Sequence, residues 1–211
     1  MKRLITERDV QQLLKSGSKT LVTENGSIFT PSAKDLIKHS GISVVSPKEK
    51  PVDEEGSGFN DSSRIFRCIV GGDHTGFKVK KIMIGFLKDK GYEVTDAGTF
   101  DESSCDYPDF ALKVARSVAA RENDFGVLFD ATGIPSAIAA NKIAGIRAAT
   151  CYNEFTAKSS RQHNNANILV LGAKALGEET IKSILTVWLK TTYDAGRHQK
   201  RLDKISEAEN G

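Results

Sequence analysis

The sequence predicts an α/β protein, a five-stranded parallel sheet with helices on both faces, preceded by a small α+β unit. Two patterns carry that expectation. From Ile65 onward, short β-branched runs alternate with stretches whose apolar residues recur every three to four positions, the rhythm of strand–helix–strand crossovers. Ahead of them, residues 46–63 (SPKEKPVDEEGSGFNDSS) hold prolines, glycines and charges and almost nothing apolar, the composition of a linker. The expected organisation is a small unit over 1–45, a linker over 46–63 and a main domain over 64–211.

In the first unit, Thr20–Thr23 and Ser27–Thr30 are β-prone runs around Asn25-Gly26, a dipeptide suited to a tight hairpin. Thr30 is placed to cap a helix opened by Pro31 and ended by Gly41, and Ile42–Val45 reads as a further strand. In the main domain, strands are expected at Ile65–Val70, Tyr92–Thr95, Gly126–Phe129, Arg147–Cys151 and Ile168–Leu171. Between the first two, Val79, Ile82, Met83, Phe86 and Leu87 mark one helix face. Phe110, Val114 and Val118 mark the next helix, Pro135 to Lys142 is helical, and another helix ends near His163. Ile181, Ile184, Leu185, Trp188 and Leu189 form the last stripe.

With 211 residues, 39% hydrophobic and 27% charged, the chain is long enough to bury a core. No apolar run approaches the roughly 20 residues of a membrane span. The charged N-terminus does not suit a signal peptide. Three widely spaced cysteines make neither a disulfide framework nor a zinc site, so a reducing cytoplasm is expected. The net charge of +3 is not gathered into a basic block. Nucleic acid is therefore not the expected partner, and an anionic small molecule fits better.

In such sheets ligands bind at the carboxyl ends of the strands. The residues expected to converge there are Gly71-Gly72-Asp73-His74-Thr75-Gly76, Asp130-Ala131-Thr132-Gly133-Ile134-Pro135 and Cys151, with Ser160–Asn164 and Gly196–Arg201. Thr132 to Pro135 reads as a loop entering a helix, whose N–H groups favour an anion or a developing oxyanion. Asp130 stands where a carboxylate would exchange a proton with a substrate carbon. Asp73, His74 and His163 suit proton traffic with oxygens. Arg197 and Arg201, four apart, suit a phosphate clamp. No metal-ligand spacing and no nucleotide loop is present. The combination suggests proton-transfer isomerisation of a sugar phosphate without metal or cofactor.

Five stretches, GGDHTGF (71–77), DYPDFA (106–111), TGIPSAIAANKIAGIRAA (132–149), SRQHNNAN (160–167) and AGRHQKR (195–201), resemble the B-type ribose-5-phosphate isomerases, in the family that also holds the galactose-6-phosphate isomerase subunits. The resemblance spans residues 64–205. It implies a Rossmann-like fold, a homodimer or homotetramer with active sites at the dimer interface, and metal-free aldose–ketose interconversion through an enediolate. By motif position, Asp73 and His163 would open the sugar ring. Thr132, Gly133 and Asn164 would surround the enediolate. His74, Arg197 and Arg201 would hold the phosphate, some of them from the neighbouring subunit.

Two residues depart from the family's Cys-Gly-Thr-Gly-Ile-Gly loop. Asp130 stands in place of the cysteine base, and Pro135, which lacks an N–H, replaces a glycine. The segment MKRLITERDV…TPSAKDLIKHSGI is similar to the opening of ethanolamine-utilisation proteins of bacterial microcompartments. It implies that residues 1–45 dock on a shell or core protein, and that the chain lies in the cytoplasm or inside a microcompartment. The alternatives are a non-catalytic sugar-phosphate-binding or scaffold protein, and an isomerase of a deoxy or hexose sugar phosphate.

Overall fold

The computed structural model describes residues 4–15, 20–23, 27–45, 58–61 and 63–209. The chain divides into two compact units, Met1–Glu54 and Glu55–Gly211.

The first unit runs β1 (Leu4–Ile5), α1 (Glu7–Lys15), β2 (Thr20–Val22), β3 (Ile28–Phe29), α2 (Pro31–Ser40) and β4 (Ser43–Val45). Helix α2 is built as its sequence indicates. Thr30 Oγ1 accepts the Ala33 N–H at 3.3 Å, Pro31 opens the first turn, and Gly41 ends the helix at φ 66°. Helix α1 has no counterpart among the sequence-based expectations. Its start is fixed by the Asp9 carboxylate, which accepts the Thr6 N–H and hydroxyl at 2.7 and 2.6 Å. The expected hairpin between the runs at 20–23 and 27–30 does not form. Strand β1 pairs with β3 and β2 with β4, both in parallel, while Asn25-Gly26 lies outside the described residues. Helices intervene between the paired strands, and this arrangement gathers Ile5, Val10, Leu21, Ala33 and Ile42 into one buried cluster.

The second unit runs β5 (Arg67–Gly72), α3 (Phe77–Asp89), β6 (Glu93–Gly98), α4 (Tyr107–Ala119), β7 (Phe125–Asp130), α5 (Ile134–Ala140), β8 (Ala148–Thr150), α6 (Glu154–Asn164), β9 (Ile168–Gly172) and α7 (Glu178–Lys190). A 3-10 turn, Gly196–His198, and α8 (Gln199–Glu209) follow. The five strands form one parallel sheet in the order β6-β5-β7-β9-β8. Successive residues face opposite sides. Cys68, Val70, Val127, Phe129, Leu169 and Leu171 meet the apolar faces of α3, α6 and α7, whereas Ile69, Leu128, Ile168 and Val170 meet those of α4 and α5. The chain turns left of β5 to make β6 and right of it to make β7, so the crevice where ligands enter such sheets opens between the ends of β5 and β7.

Two sequence-based expectations shift. The inward face of α3 is Lys80, Met83 and Leu87, with Ile82 exposed. The Lys80 ammonium is buried against Asp96 on β6, a position the apolar pattern does not reveal. Part of the expected linker also belongs to the second unit. The Phe59 ring stacks on Trp188 at 5.2 Å and lies 4.6 Å from Phe125, and its carbonyl accepts the Tyr92 hydroxyl at 2.6 Å. Residues 46–57 of that segment lie outside the described residues.

Candidate active site

Strand β5 delivers Asp73 and His74 to the carboxyl edge. The approach is tight: a Cβ on Gly72 would stand 2.3 Å from the Phe129 carbonyl oxygen. The Asp73 N–H donates to that same carbonyl at 3.2 Å. Oδ1 of Asp73 accepts the Thr75 N–H at 2.9 Å, the Thr75 hydroxyl at 2.6 Å and the Gly76 N–H at 3.2 Å. Oδ2 makes no hydrogen bond among the described residues, so this carboxylate keeps one oxygen for chemistry. His74 Nδ1 accepts the Cys105 N–H at 3.3 Å. That bond leaves the ring proton on Nε2, which becomes a donor for a ligand oxygen.

Strand β7 delivers the loop 130–136, and here the structure departs from the sequence reading. Asp130 is 0% exposed. Its Oδ1 accepts the Thr132 N–H at 2.8 Å and the Gly133 N–H, and its Oδ2 accepts the Ser136 N–H at 3.1 Å. The Ile134 N–H donates to Thr132 Oγ1 at 3.3 Å, and Pro135 has none. Asp130 therefore does not present a carboxylate to the crevice as expected of a carbon base. The N–H groups expected to cradle an oxyanion already hold that carboxylate. The loop is braced from outside as well. The Thr150 hydroxyl donates to the Gly133 carbonyl at 2.7 Å, and the Tyr152 hydroxyl to the Thr132 carbonyl at 3.1 Å. Gly133 takes φ 84°, a left-handed conformation that glycine adopts without strain.

A second cluster gathers His163, His198, Arg197, Arg201 and Asp194. His163, in the last turn of α6, has Nδ1 3.1 Å from Ser159 Oγ. Its ring stacks on that of His198, with centroids 4.4 Å apart and planes inclined by 12°. Arg197 Nε donates to His198 Nε2 at 3.4 Å, and an Arg201 Nη lies 3.4 Å from its Nδ1. Burial lowers the His198 pKa, and His163, Arg197 and Arg201 push it further down against an opposing pull from Asp194. The 3-10 segment is tied to α6 by the Asp194 N–H, which donates to the Gln162 carbonyl at 3.0 Å. Asn164 ends α6, and its carbonyl accepts Arg147 Nε at 3.0 Å. Buried Arg161 supports this turn, donating to Asn165 Oδ1 at 3.1 Å while lying over Phe59 and Trp188.

The expected convergence on one sheet edge is not what the fold builds. A helix joining two parallel strands runs antiparallel to them. The end of α6 therefore sits at the amino edge of the sheet, beside the start of β9. Asp73, His74, Thr132 and Gly133 occupy the carboxyl edge, whereas His163, Asn164, Arg197 and Arg201 occupy the amino edge. A five-residue strand separates the two by about 16 Å. His198, inside the expected Gly196–Arg201 run but given no role there, belongs to the second group, and so does Asp194, which did not stand out in the sequence. His163, Asp194 and His198 bring metal-type ligand atoms within 4.8 Å of one another. Two guanidinium groups against His198 make the place hostile to a cation and suited to an anion.

Residues 68–205 match the family model described as Ribose/Galactose Isomerase. The chain is 44% identical over 139 residues to ribose-5-phosphate isomerase B of Escherichia coli strain K12, covering 66% of this chain and 93% of that protein. Among solved structures, the Clostridium thermocellum ribose-5-phosphate isomerase B superposes with a TM-score of 0.68 at 46% identity, over 68% of this chain and 97% of that one. The Mycoplasma genitalium ribose-5-phosphate isomerase B with bound ribulose-5-phosphate gives 0.67 at 39% identity, over 70% and 99%. The alignment spans the whole sheet and both clusters, and this chain belongs to the ribose/galactose isomerase family.

Proposed function

We propose that the chain is an aldose–ketose isomerase of a sugar phosphate, ribose 5-phosphate to ribulose 5-phosphate, and that its working unit is a homodimer. The observation that carries this reading is the division of the site. One edge of the sheet offers proton-transfer groups and the other a cationic phosphate clamp. Neither suffices alone, and a two-fold axis brings one edge of each copy to the other edge of its partner.

In that dimer, Arg197 and Arg201 bind the phosphate with His198 between them, and His74 Nε2–H donates to it or to a sugar oxygen. Asp73, through its free Oδ2, and His163 open the ring and move protons between oxygens. Thr132, Gly133 and Asn164 border the reacting carbons. Names borne by relatives at 40–44% identity support the substrate class. The first unit lies outside the matched residues. Our reading for it is docking, inside a microcompartment or elsewhere in the cytoplasm, with Leu4 and Ile28 exposed side by side across β1 and β3. Non-catalytic binding of a sugar phosphate is the second reading, and the sealed state of Asp130 favours it.

Mixing two inactive variants tests the division of the site. Asp73→Asn damages one edge and Arg197→Ala the other. Exchanged subunits should regain about one quarter of the parent's ribose-5-phosphate turnover, because each heterodimer carries one intact site. No recovery after verified subunit exchange would place both groups in one chain's site. Absence of turnover in the parent would favour the binding protein.

A further inference from the structure

We propose that Asp130 is a positioning residue, the internal counter-anion of the 130–136 loop, and that it does not take the carbon proton in the isomerisation proposed above, on which this inference rests. A carbon base must bring a lone pair to the substrate. Asp130 has no exposed surface, and three backbone N–H groups converge on its two oxygens. Withdrawing it toward the crevice would strand those donors unpaired in a buried loop.

The same bonds decide what the loop can do for an anion. Thr132, Gly133 and Ser136 have spent their N–H groups on Asp130, Ile134 has spent its own on Thr132 Oγ1, and Pro135 lacks one. An enediolate oxygen arriving here finds no free N–H from Thr132 to Ser136, only the Thr132 hydroxyl, and it meets a carboxylate of like charge behind the loop. Stabilisation of the enediolate in this chain therefore falls to side-chain donors, the Thr132 hydroxyl and His74 Nε2–H. The neighbouring strand end makes the contrast plain. Asp73 has one oxygen engaged and one free, and it is 7% exposed. Of the two adjacent carboxylates, one shapes a loop and the other remains able to exchange a proton.

The test compares two ligands by calorimetry: a sugar-phosphate hydroxamate, a planar mimic of the enediolate, and ribitol 5-phosphate, which shares only the phosphate and hydroxyls. The parent should favour the hydroxamate by no more than about tenfold, because the loop N–H groups are taken and only side-chain donors remain. Asp130→Ser removes the charge and the base while its hydroxyl still accepts from the loop. This variant should bind the hydroxamate at least about tenfold more tightly than the parent, a fraction of what one oxyanion donor is worth. The proposal is overturned if the parent already prefers the hydroxamate by about a hundredfold, the scale of a working oxyanion hole. It is equally overturned if folded Asp130→Ser loses more than about a hundredfold in turnover with hydroxamate affinity unchanged, as loss of a general base requires. Should the variant not fold, the comparison in the parent decides alone. Failure of ribitol 5-phosphate to bind the parent overturns instead the sugar-phosphate reading.

Discussion

His163 and His198 stack face to face, 4.4 Å between ring centroids, with both nitrogens of His198 turned toward guanidinium groups. Neutral imidazole is the form that tolerates this setting. The cluster has the charge and geometry to hold an anion, with two arginines flanking one histidine.

That arrangement makes anion binding proton-linked. Burial, His163, Arg197 and Arg201 depress the His198 pKa, with Asp194 opposing. A dianion placed among them raises it again, so binding takes up a proton wherever free His198 is neutral and bound His198 is charged. Sulfate is the cleaner probe, since its own charge stays constant. Its affinity should rise as pH falls through about 6.5, the ordinary histidine value, and the slope should vanish in His198→Gln. Stability without anion should move the opposite way. The folded chain binds fewer protons than the unfolded one, so it loses stability as pH drops below about 6.5. A pH-independent sulfate affinity from pH 5 to 8 would remove His198 from the site.

The aromatic anchor at Phe59 sets where the second unit begins. Its ring lies on Trp188, Phe125 and Phe66 and under the Arg161 guanidinium. A chain beginning near Asp61 would discard it. Phe59→Ala in the full chain should cost about 2–3 kcal/mol, below the roughly 3–5 kcal/mol of a fully buried ring because Phe59 is only half-buried. Because Arg161 also braces the Asn165 turn next to His163, the sulfate affinity should fall with it. Chemical denaturation followed by Trp188 fluorescence measures the first effect. An unchanged midpoint would make Phe59 a passenger.

The sheet is legible in the sequence because five β-branched runs and their helix stripes repeat one rhythm, and the strand boundaries agree within a few residues. What periodicity carries, it carries well. It says nothing of Lys80, which is a cation on a buried face, paired with Asp96 on the strand that follows. Asn25-Gly26 suggests a hairpin from local preference, whereas the first unit's strands pair across intervening helices to close a shared core. The site residues are legible one by one, but their placement is not. His163 and Asn164 end a helix that returns to the amino edge, so they are not at the carboxyl ends of strands. Asp130 escapes the sequence for a different reason. Its residue type suits a base, but its role is set by three N–H groups of its own loop.

Two glycines should respond with opposite signs. Gly85 lies within α3, where an added methyl would meet nothing within 4 Å and the backbone is ordinary helix. Gly85→Ala should stabilise the chain by about 0.5–1 kcal/mol. Gly72→Ala drives a methyl to 2.3 Å from the Phe129 carbonyl oxygen in the neighbouring strand, so β5 and β7 must separate. A loss of roughly 3 kcal/mol or more is expected, read as a lower melting temperature or as insoluble protein. Equal melting temperatures for the two variants would refute the close packing at the crevice.

The face by which two copies meet should include α5. Ile138 is 58% exposed and Ile134 stands one turn before it, while Phe155, at the start of α6, is 79% exposed. Tyr152, hydrogen-bonded to the Thr132 carbonyl, is a further exposed aromatic at the loop on the carboxyl edge. Exposed apolar side chains beside a half-built site are the expected signature of self-association. A charge there costs a monomer little, since exposed positions usually tolerate substitution within about 0.5 kcal/mol. In a dimer the same charge is buried without a partner. Ile138→Asp should therefore leave the melting of the isolated subunit nearly unchanged while shifting sedimentation from dimer to monomer. Turnover should fall with the dimer fraction and recover as protein concentration rises, which separates lost association from a damaged site. If Ile138→Asp sediments as the parent does, the copies meet through another face, and the division of the site between subunits must be built on that face instead.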